Sequence, residues 1–361
     1  MDQLLGITSR HWLELLRENN FQIAPQYAGR VAFLTLVSLY NSGAARKEQK
    51  LFGKTFKQTQ IERPLFIIGH WRSGTTLLHD LLARDQQFTY PTIFQTSNPH
   101  TFLHREERIY QRETNHQTVK RPMDNMEFTA NSPGEDEFAV SAASLRSPLV
   151  GWSFPKNEAF YDRFLTFYEA TPQELKRWKA AFVTFLQKVS WKNQRPLILK
   201  SPGHTARIRI LLDLFPDARF IHIRRNPFDV FRSTQGLYQK GIPRGYLQEA
   251  PGPEQINAGI IRRYAETYQA FFEQSKLVPE GQITEICFEN LEKDMLNQVK
   301  QIYAALAIPG FEAARPALER YIASLQGYKK NRHAALPEVL RKQIIAAWEP
   351  CFEAWNYSTN E

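Results

Sequence analysis

Leu65, Phe66, Ile67 and Ile68 form an unbroken apolar run that ends at Gly69. After a short polar loop the period changes, and Leu77, Leu78, Leu81 and Leu82 fall at helical spacing. The stretch 63–83 therefore predicts a strand, a tight loop and a helix. The same alternation recurs: runs near 64–69, 196–200 and 218–224 predict strands, and patterns near 75–84, 204–215 and 227–239 predict the helices that follow them. Strands alternating with helices favour a parallel sheet. Helical patterns at about 254–276 and 291–306 flank a further strand, ITEICFEN, and helices near 313–326 and 337–347 close the chain.

The loop after the first strand, His70-Trp71-Arg72-Ser73-Gly74, has the composition of a phosphate loop. Unpaired N–H groups at a helix start, with the helix dipole, attract anions, and Gly69 and Gly74 let the backbone turn sharply and approach a phosphate. A nucleotide-hydrolysing loop of the Walker A type needs lysine directly after its second glycine. Here that residue is Thr75, and the nearby cation is Arg72. A second basic element is DARFIHIRRNPFDVFRST, residues 217–234. Arg224 and Arg225 end a strand, Pro227 suits the first turn of a helix, and Ser233 lies two turns into it. A cation at the strand end and a hydroxyl on the next helix can hold one phosphate from two sides; a solvated strand end with a capping serine is the alternative. The fold class expected is α/β, a P-loop-type parallel sheet flanked by helices. A helical N-terminal extension (1–60) and a helical C-terminal part complete one domain over 1–361, since no repeat or linker divides the chain.

R-S-G-T-T after one strand and R-N-P-x-D-V-x-x-S after another together resemble the phosphosulfate and 3′-phosphate sites of sulfotransferases. The resemblance is to the bacterial type rather than the aryl type with lysine in the loop. FQTSNPH, NSPGEDEF, LILKSPGH, ICFENL, YKKN and the closing WEPCFEAWNY extend it over most of the chain. Such enzymes use 3′-phosphoadenosine 5′-phosphosulfate (PAPS), release PAP, and need no metal. By position, the resemblance implies that the N–H groups from Ser73 through Gly74 and Thr75 to Thr76, with both threonine hydroxyls, hold the 5′-phosphosulfate. It implies that Arg225 and Ser233 bind the 3′-phosphate, that Arg72 stabilises charge on the leaving oxygen, and that Lys330, beside Lys329 and Asn331, closes over the donor. Lys200 matches the lysine of the aryl K-T-H-L-P motif, but Pro202 stands where its histidine would be. His204, two residues on, is either a base or a packing residue. Related families use a glutamate as base. Glu135 and Glu137, around Asp136 and after the Pro133-Gly134 turn, stand ahead of His204 for that role, with a helix start decorated by acids as the alternative. Gln95 occupies a position where some relatives carry an acid.

Net charge +9 suits a polyanionic donor. It also suits nucleic acid, but the basic residues are spread along the chain and no nucleic-acid-binding motif appears. Cys287 and Cys351 form no metal spacing or disulfide framework. The start, MDQLLGITSRHW, lacks a secretory pattern, and VAFLTLVSLY at 31–40 is far shorter than the ~20 residues that span a bilayer. That segment reads as a core helix or, between Arg30 and Arg46, as a peripheral membrane contact; a cytoplasmic location is expected. The aromatic-rich stretch 152–168 is core or the lining of an acceptor pocket. The acceptor reads as a small alcohol, phenol, lipid or sugar hydroxyl. A P-loop kinase or ATPase, and a non-catalytic nucleotide or membrane-surface binder, are the competing classes.

Overall fold

In the computed structural model, which describes residues 4–105, 119–120, 127–325 and 335–360, the apolar run becomes the strand Leu65–Ile68, buried along its length. It pairs in parallel with Arg219–Arg224, Leu65 opposite Arg219 and Ile68 opposite His222. Arg219–Arg224 pairs in parallel with Ile283–Cys287, and Arg224 lies opposite Cys287. Leu65–Ile68 lies inside the sheet and is covered on both faces, which is why its run is continuously apolar rather than alternating, whereas Ile283–Cys287, at the sheet edge, exposes Glu285.

The chain divides into two compact units. The second comprises 63–88, 200–241 and 252–361 and contains these three strands. Helices Thr75–Leu82 and Pro227–Lys240 follow the first two strands. Pro202–Ala206 is a 3-10 turn and Ile208–Leu214 a helix, in place of one helix near 204–215. The pattern near 291–306 also breaks, into Phe288–Lys293 and Met295–Ala305. Asp294 causes the break: its side chain accepts from the Asn297 N–H at 3.1 Å and starts the second helix afresh. The last helix, Glu338–Trp355, runs beyond the expected 347 and through Pro350. Trp348, Cys351, Phe352 and Trp355 are all buried and at helical spacing, and their packing outweighs the N–H that Pro350 lacks.

The first unit comprises 1–62, 89–199 and 242–251 and is helical, with Ser9–Glu18, Ala28–Phe52, Asp136–Ser144 and Pro172–Lys192 among its elements. Thr171 and Glu174 form a reciprocal capping box at the start of the last of these. Trp178 stacks on Phe182, with ring centroids 4.9 Å apart, and Phe154, Tyr161 and Phe164 are fully buried. Much of the aromatic stretch 152–168 is thus core, while Phe160 and Tyr168 are exposed. The strand Ile198–Lys200 straddles the boundary, and Lys200 belongs to the second unit.

Candidate active site

Parallel register brings the two phosphate motifs to one edge of the sheet. The strands ending at Ile68 and Arg224 release their chains side by side, one into the loop and the other into Arg225. Gly69 follows at φ 145, where a side chain would meet the Ile223 carbonyl oxygen. Its N–H donates to Thr205 Oγ1 at 2.7 Å. The next N–H, of His70, donates to Tyr268 Oη at 3.2 Å. The His70 ring is buried against Tyr264, which stacks on Trp348 at 3.7 Å. Burial holds His70 far below its ordinary value, at about 3, so the ring is neutral near neutral pH.

Ser73 closes the loop on itself, its N–H and its hydroxyl both donating to the His70 carbonyl, at 3.2 and 2.8 Å. Its N–H is therefore engaged within the loop. Gly74, at φ 102, caps the helix Thr75–Leu82; a Cβ there would overlap the Phe288 ring. The first N–H groups of that helix have no acceptor within the helix and point out of its N-terminus. Lys200 is buried, and its Nζ lies 3.4 Å from Thr76 Oγ1.

Arg72 joins the two motifs. Its backbone is left-handed, φ 71, a conformation that costs a non-glycine residue about 1 kcal/mol or more. The turn sends Arg72 Nε to Ser233 Oγ at 2.9 Å, while Arg225 Nη1 donates to the Arg72 carbonyl at 3.0 Å. The Arg225 guanidinium lies over the Phe288 ring, 4.5 Å from its centroid, with Asp229 at 3.9 Å. Arg225 Nε is buried with no hydrogen-bond partner among the described residues. Two guanidinium groups, a lysine, a hydroxyl and a helix N-terminus within one unit suit a ligand with two separated phosphate-like groups, and the orphaned Nε is a donor such a ligand would satisfy.

Glu289 was not singled out by sequence, although ICFENL was. Its Oε1 accepts the Asn226 N–H at 2.8 Å; its Oε2 accepts from Cys287 Sγ at 2.8 Å and Tyr357 Oη at 2.9 Å. Burial alone would push this carboxyl up. The donors from Cys287, the Asn226 and Glu289 N–H groups and Tyr357 together hold it below the usual range. Glu289 thus fixes the residue directly after Arg225. The only sequence signal for it was an acid two residues beyond the third strand.

The three base candidates have different surroundings. His204 lies in the 3-10 turn of the second unit, fully buried, edge-on to Phe66 with centroids 5.4 Å apart, the placement of a packing residue. Glu137 is buried in the first unit and accepts from Ser147 Oγ at 2.6 Å. Glu135, also in the first unit, precedes the helix Asp136–Ser144 and is only half-buried. Gln95 completes a capping box with Thr92. Lys330, with Lys329 and Asn331, lies outside the described residues. Among the described residues no group of three or more His, Cys, Asp or Glu is placed to hold a metal ion.

A sequence model of the sulfotransferase family matches residues 64–313. The omega-hydroxy-beta-dihydromenaquinone-9 sulfotransferases Stf3 of Mycobacterium bovis and Mycobacterium tuberculosis are each 32% identical to this chain over 360 residues, covering 98% of it and 90% of their own length. The crystal structure of sulfotransferase STF9 from Mycobacterium avium superposes with a TM-score of 0.71 at 17% identity, over 95% of this chain and 90% of that one. STF1 from Mycobacterium tuberculosis H37Rv gives 0.64 at 17% identity, over 94% and 92%. These two solved structures share the fold.

Proposed function

The chain belongs to the sulfotransferase family, and on that premise we propose that it transfers the sulfuryl group of PAPS to the hydroxyl of an apolar, lipid-like alcohol and releases PAP. The observation that carries the donor reading is the convergence of Arg72, Ser233 and Arg225, three residues from two motifs, joined by hydrogen bonds of 2.9 and 3.0 Å. A nucleotide lacking the 3′-phosphate would leave Arg225 Nε, a buried donor with no partner among the described residues, without a ligand. The relatives at 32% identity are named for an acceptor whose hydroxyl is an omega-hydroxy group on a menaquinone derivative. That name supports an alcohol on an apolar chain as the acceptor class here.

In the proposed reaction the acceptor oxygen bonds to sulfur, the bond from sulfur to the bridging phosphate oxygen breaks, and its electron pair leaves with PAP. Arg72, Lys200 and the N-terminal N–H groups of Thr75–Leu82 stabilise the negative charge that grows on that oxygen. Arg225 and Ser233 hold the far phosphate and keep the nucleotide in register. The acceptor's proton goes to a carboxylate. Of the three candidates Glu135 is half-buried while Glu137 and His204 are buried, so Glu135 is the first to substitute in a test of the base.

Calorimetry with PAP and ADP, each with and without Mg²⁺, tests the donor site. PAP should bind without metal and roughly ten- to a hundredfold more tightly than ADP, the worth of one well-made charge-assisted contact set. Preference for ADP, or a strict Mg²⁺ requirement, would support the kinase or ATPase reading instead. Transfer from labelled PAPS to a long-chain isoprenoid alcohol, compared with a phenol and a sugar, tests the acceptor class.

A further inference from the structure

The helix Ala28–Phe52 is inside out. Its inward positions are largely polar: Ser38, Asn41 and Glu48 are buried beside a single large apolar residue, Leu34. They are satisfied there. Asn41 Nδ2 donates to the Leu5 and Ile7 carbonyls at 2.7 and 3.0 Å. Ser42 Oγ meets Ser9 at 2.8 Å, and Glu48 pairs with Lys188. The outward face carries the large apolar residues: Phe33 is 54% exposed, Leu36 69%, Leu39 56% and Tyr40 63%. At 100° per residue, positions 33, 36, 39 and 40 lie on the side opposite 34, 38, 41 and 48. A helix packed in this sense leaves its apolar stripe facing outward, the reverse of an ordinary surface helix.

Charge identifies what covers the stripe. Between Glu18 and Glu62 the only acidic residue is Glu48, and it is buried against Lys188. Over the same span the chain carries Arg30, Arg46, Lys47, Lys50, Lys54 and Lys57. All of these except Arg30 are exposed, and Lys47 and Lys50 continue the apolar face toward the helix C-terminus. Arg105 adds a cation 5.2 Å above the Tyr40 ring. An apolar stripe whose own helix and flanking segments carry exposed cations and, among the described residues from 19 to 61, no exposed acid is complementary to an interface of hydrocarbon beneath anionic headgroups.

We propose that the face formed by Phe33, Leu36, Leu39 and Tyr40, with Lys47 and Lys50, docks this protein on an anionic lipid bilayer surface. No described helix is long and apolar enough to cross a membrane; the contact is peripheral. The proposal agrees with a lipid acceptor but does not rest on it, since bilayer binding can be read without catalysis.

The test is flotation of the full chain with vesicles of phosphatidylcholine alone and with roughly a third phosphatidylglycerol. The protein should float with the anionic vesicles and be released by salt. The triple variant Phe33→Ser, Leu36→Ser, Tyr40→Ser should lower the partition coefficient by at least about tenfold. Lys47→Gln with Lys50→Gln should lower it by about fivefold per lysine. Val339→Ser, at an apolar position 70% exposed elsewhere on the chain, should change nothing. PAP affinity should be the same in all variants, which separates this result from a failure of the donor site. Three outcomes would overturn the proposal: no flotation with either vesicle, flotation indifferent to the triple variant, or a solution dimer that the triple variant converts to monomer without vesicle binding. The last would assign the face to a second copy of the chain.

Discussion

Arg72 Nε donates to Ser233 Oγ at 2.9 Å, a contact between residues 161 apart in sequence. Ser233, which the motif resemblance would place at the 3′-phosphate, is therefore also placed to orient the cation proposed to act at the 5′ end. Ser233→Ala should accordingly do two things: weaken PAP by roughly tenfold or more, as for one hydrogen bond to a charged phosphate, and lower kcat, because Arg72 loses its rest. Calorimetry and single-turnover rates separate the two. A variant with weakened PAP binding and unchanged kcat would show that the contact does not position Arg72 for transfer.

Arg225 faces a simpler test. Its Nη1 is used by the Arg72 carbonyl while its Nε is buried and unsatisfied among the described residues. Arg225→Ala should weaken PAP by about ten- to a hundredfold, and adenosine 5′-phosphosulfate, which lacks the 3′-phosphate, far less. Equal losses for both ligands would mean that Arg225 holds the loop rather than the phosphate.

Gly74 is constrained in two ways that can be taken apart. Its φ of 102 disfavours any side chain, and a Cβ would overlap the Phe288 ring. Gly74→Ala should lower transfer by more than about tenfold, since a displacement of this loop misplaces the donor. Adding Phe288→Ala removes the overlap but not the backbone cost of about 1–2 kcal/mol. It also removes the ring beneath Arg225. The double variant should thus regain folding stability over Gly74→Ala, measured by urea unfolding, without regaining PAP affinity. Full recovery of both would refute this account.

The parts of this site legible in the sequence were those written in contiguous residues. An apolar run into a glycine loop gave the strand Leu65–Ile68 and its helix, and R-N-P gave the start of Pro227–Lys240, because backbone geometry and local capping decide both. What periodicity could not supply was side-chain partnership across strands. Glu289 reaches Asn226 only because Arg224 is in register with Cys287, and nothing in ICFENL encodes that register by itself. The helix Ala28–Phe52 shows the opposite limit. Its apolar letters at 31–40 suggest a buried face, yet Ser38 and Asn41 take buried positions: Asn41 donates to the Leu5 and Ile7 carbonyls just ahead of the first helix, and Ser38 Oγ donates to the Thr35 carbonyl one turn back in its own helix.

Glu289 should behave as a positioning residue. Glu289→Ala leaves the Asn226 N–H without its acceptor and should cost about 1–3 kcal/mol of stability. It should also weaken PAP, because Arg225 precedes the freed residue. Glu289→Gln retains an acceptor for Asn226 and should recover most of the PAP affinity. A Gln variant as impaired as Ala would place the importance in the charge instead.

Four histidines, His70 and His222 buried and His11 and His100 half-buried, resist protonation in the folded chain, and His11, His70 and His100 are lowered furthest. Burial, with Arg177 adding to it, lowers His11 from 6.5 to about 4. Burial lowers His70 to about 3, and burial with the neighbouring His11 and Lys188 lowers His100 to about 3. In each case the folded chain refuses a proton that the unfolded chain accepts. Between the folded values and 6.5 the unfolded state therefore binds more protons, and stability rises with pH across that window and is level above it. As pH falls below about 6.5, each histidine should remove stability at a limiting slope of about 1.4 kcal/mol per pH unit. Urea midpoints taken from about pH 8 to about pH 5 read this before most carboxylates titrate. His100→Asn should reduce the slope in that window by about one proton's worth, while leaving the plateau above it flat. An unchanged slope would show that His100 takes up its proton in the folded state at an ordinary pH, and that its half-buried setting does not destabilise the protein in acid.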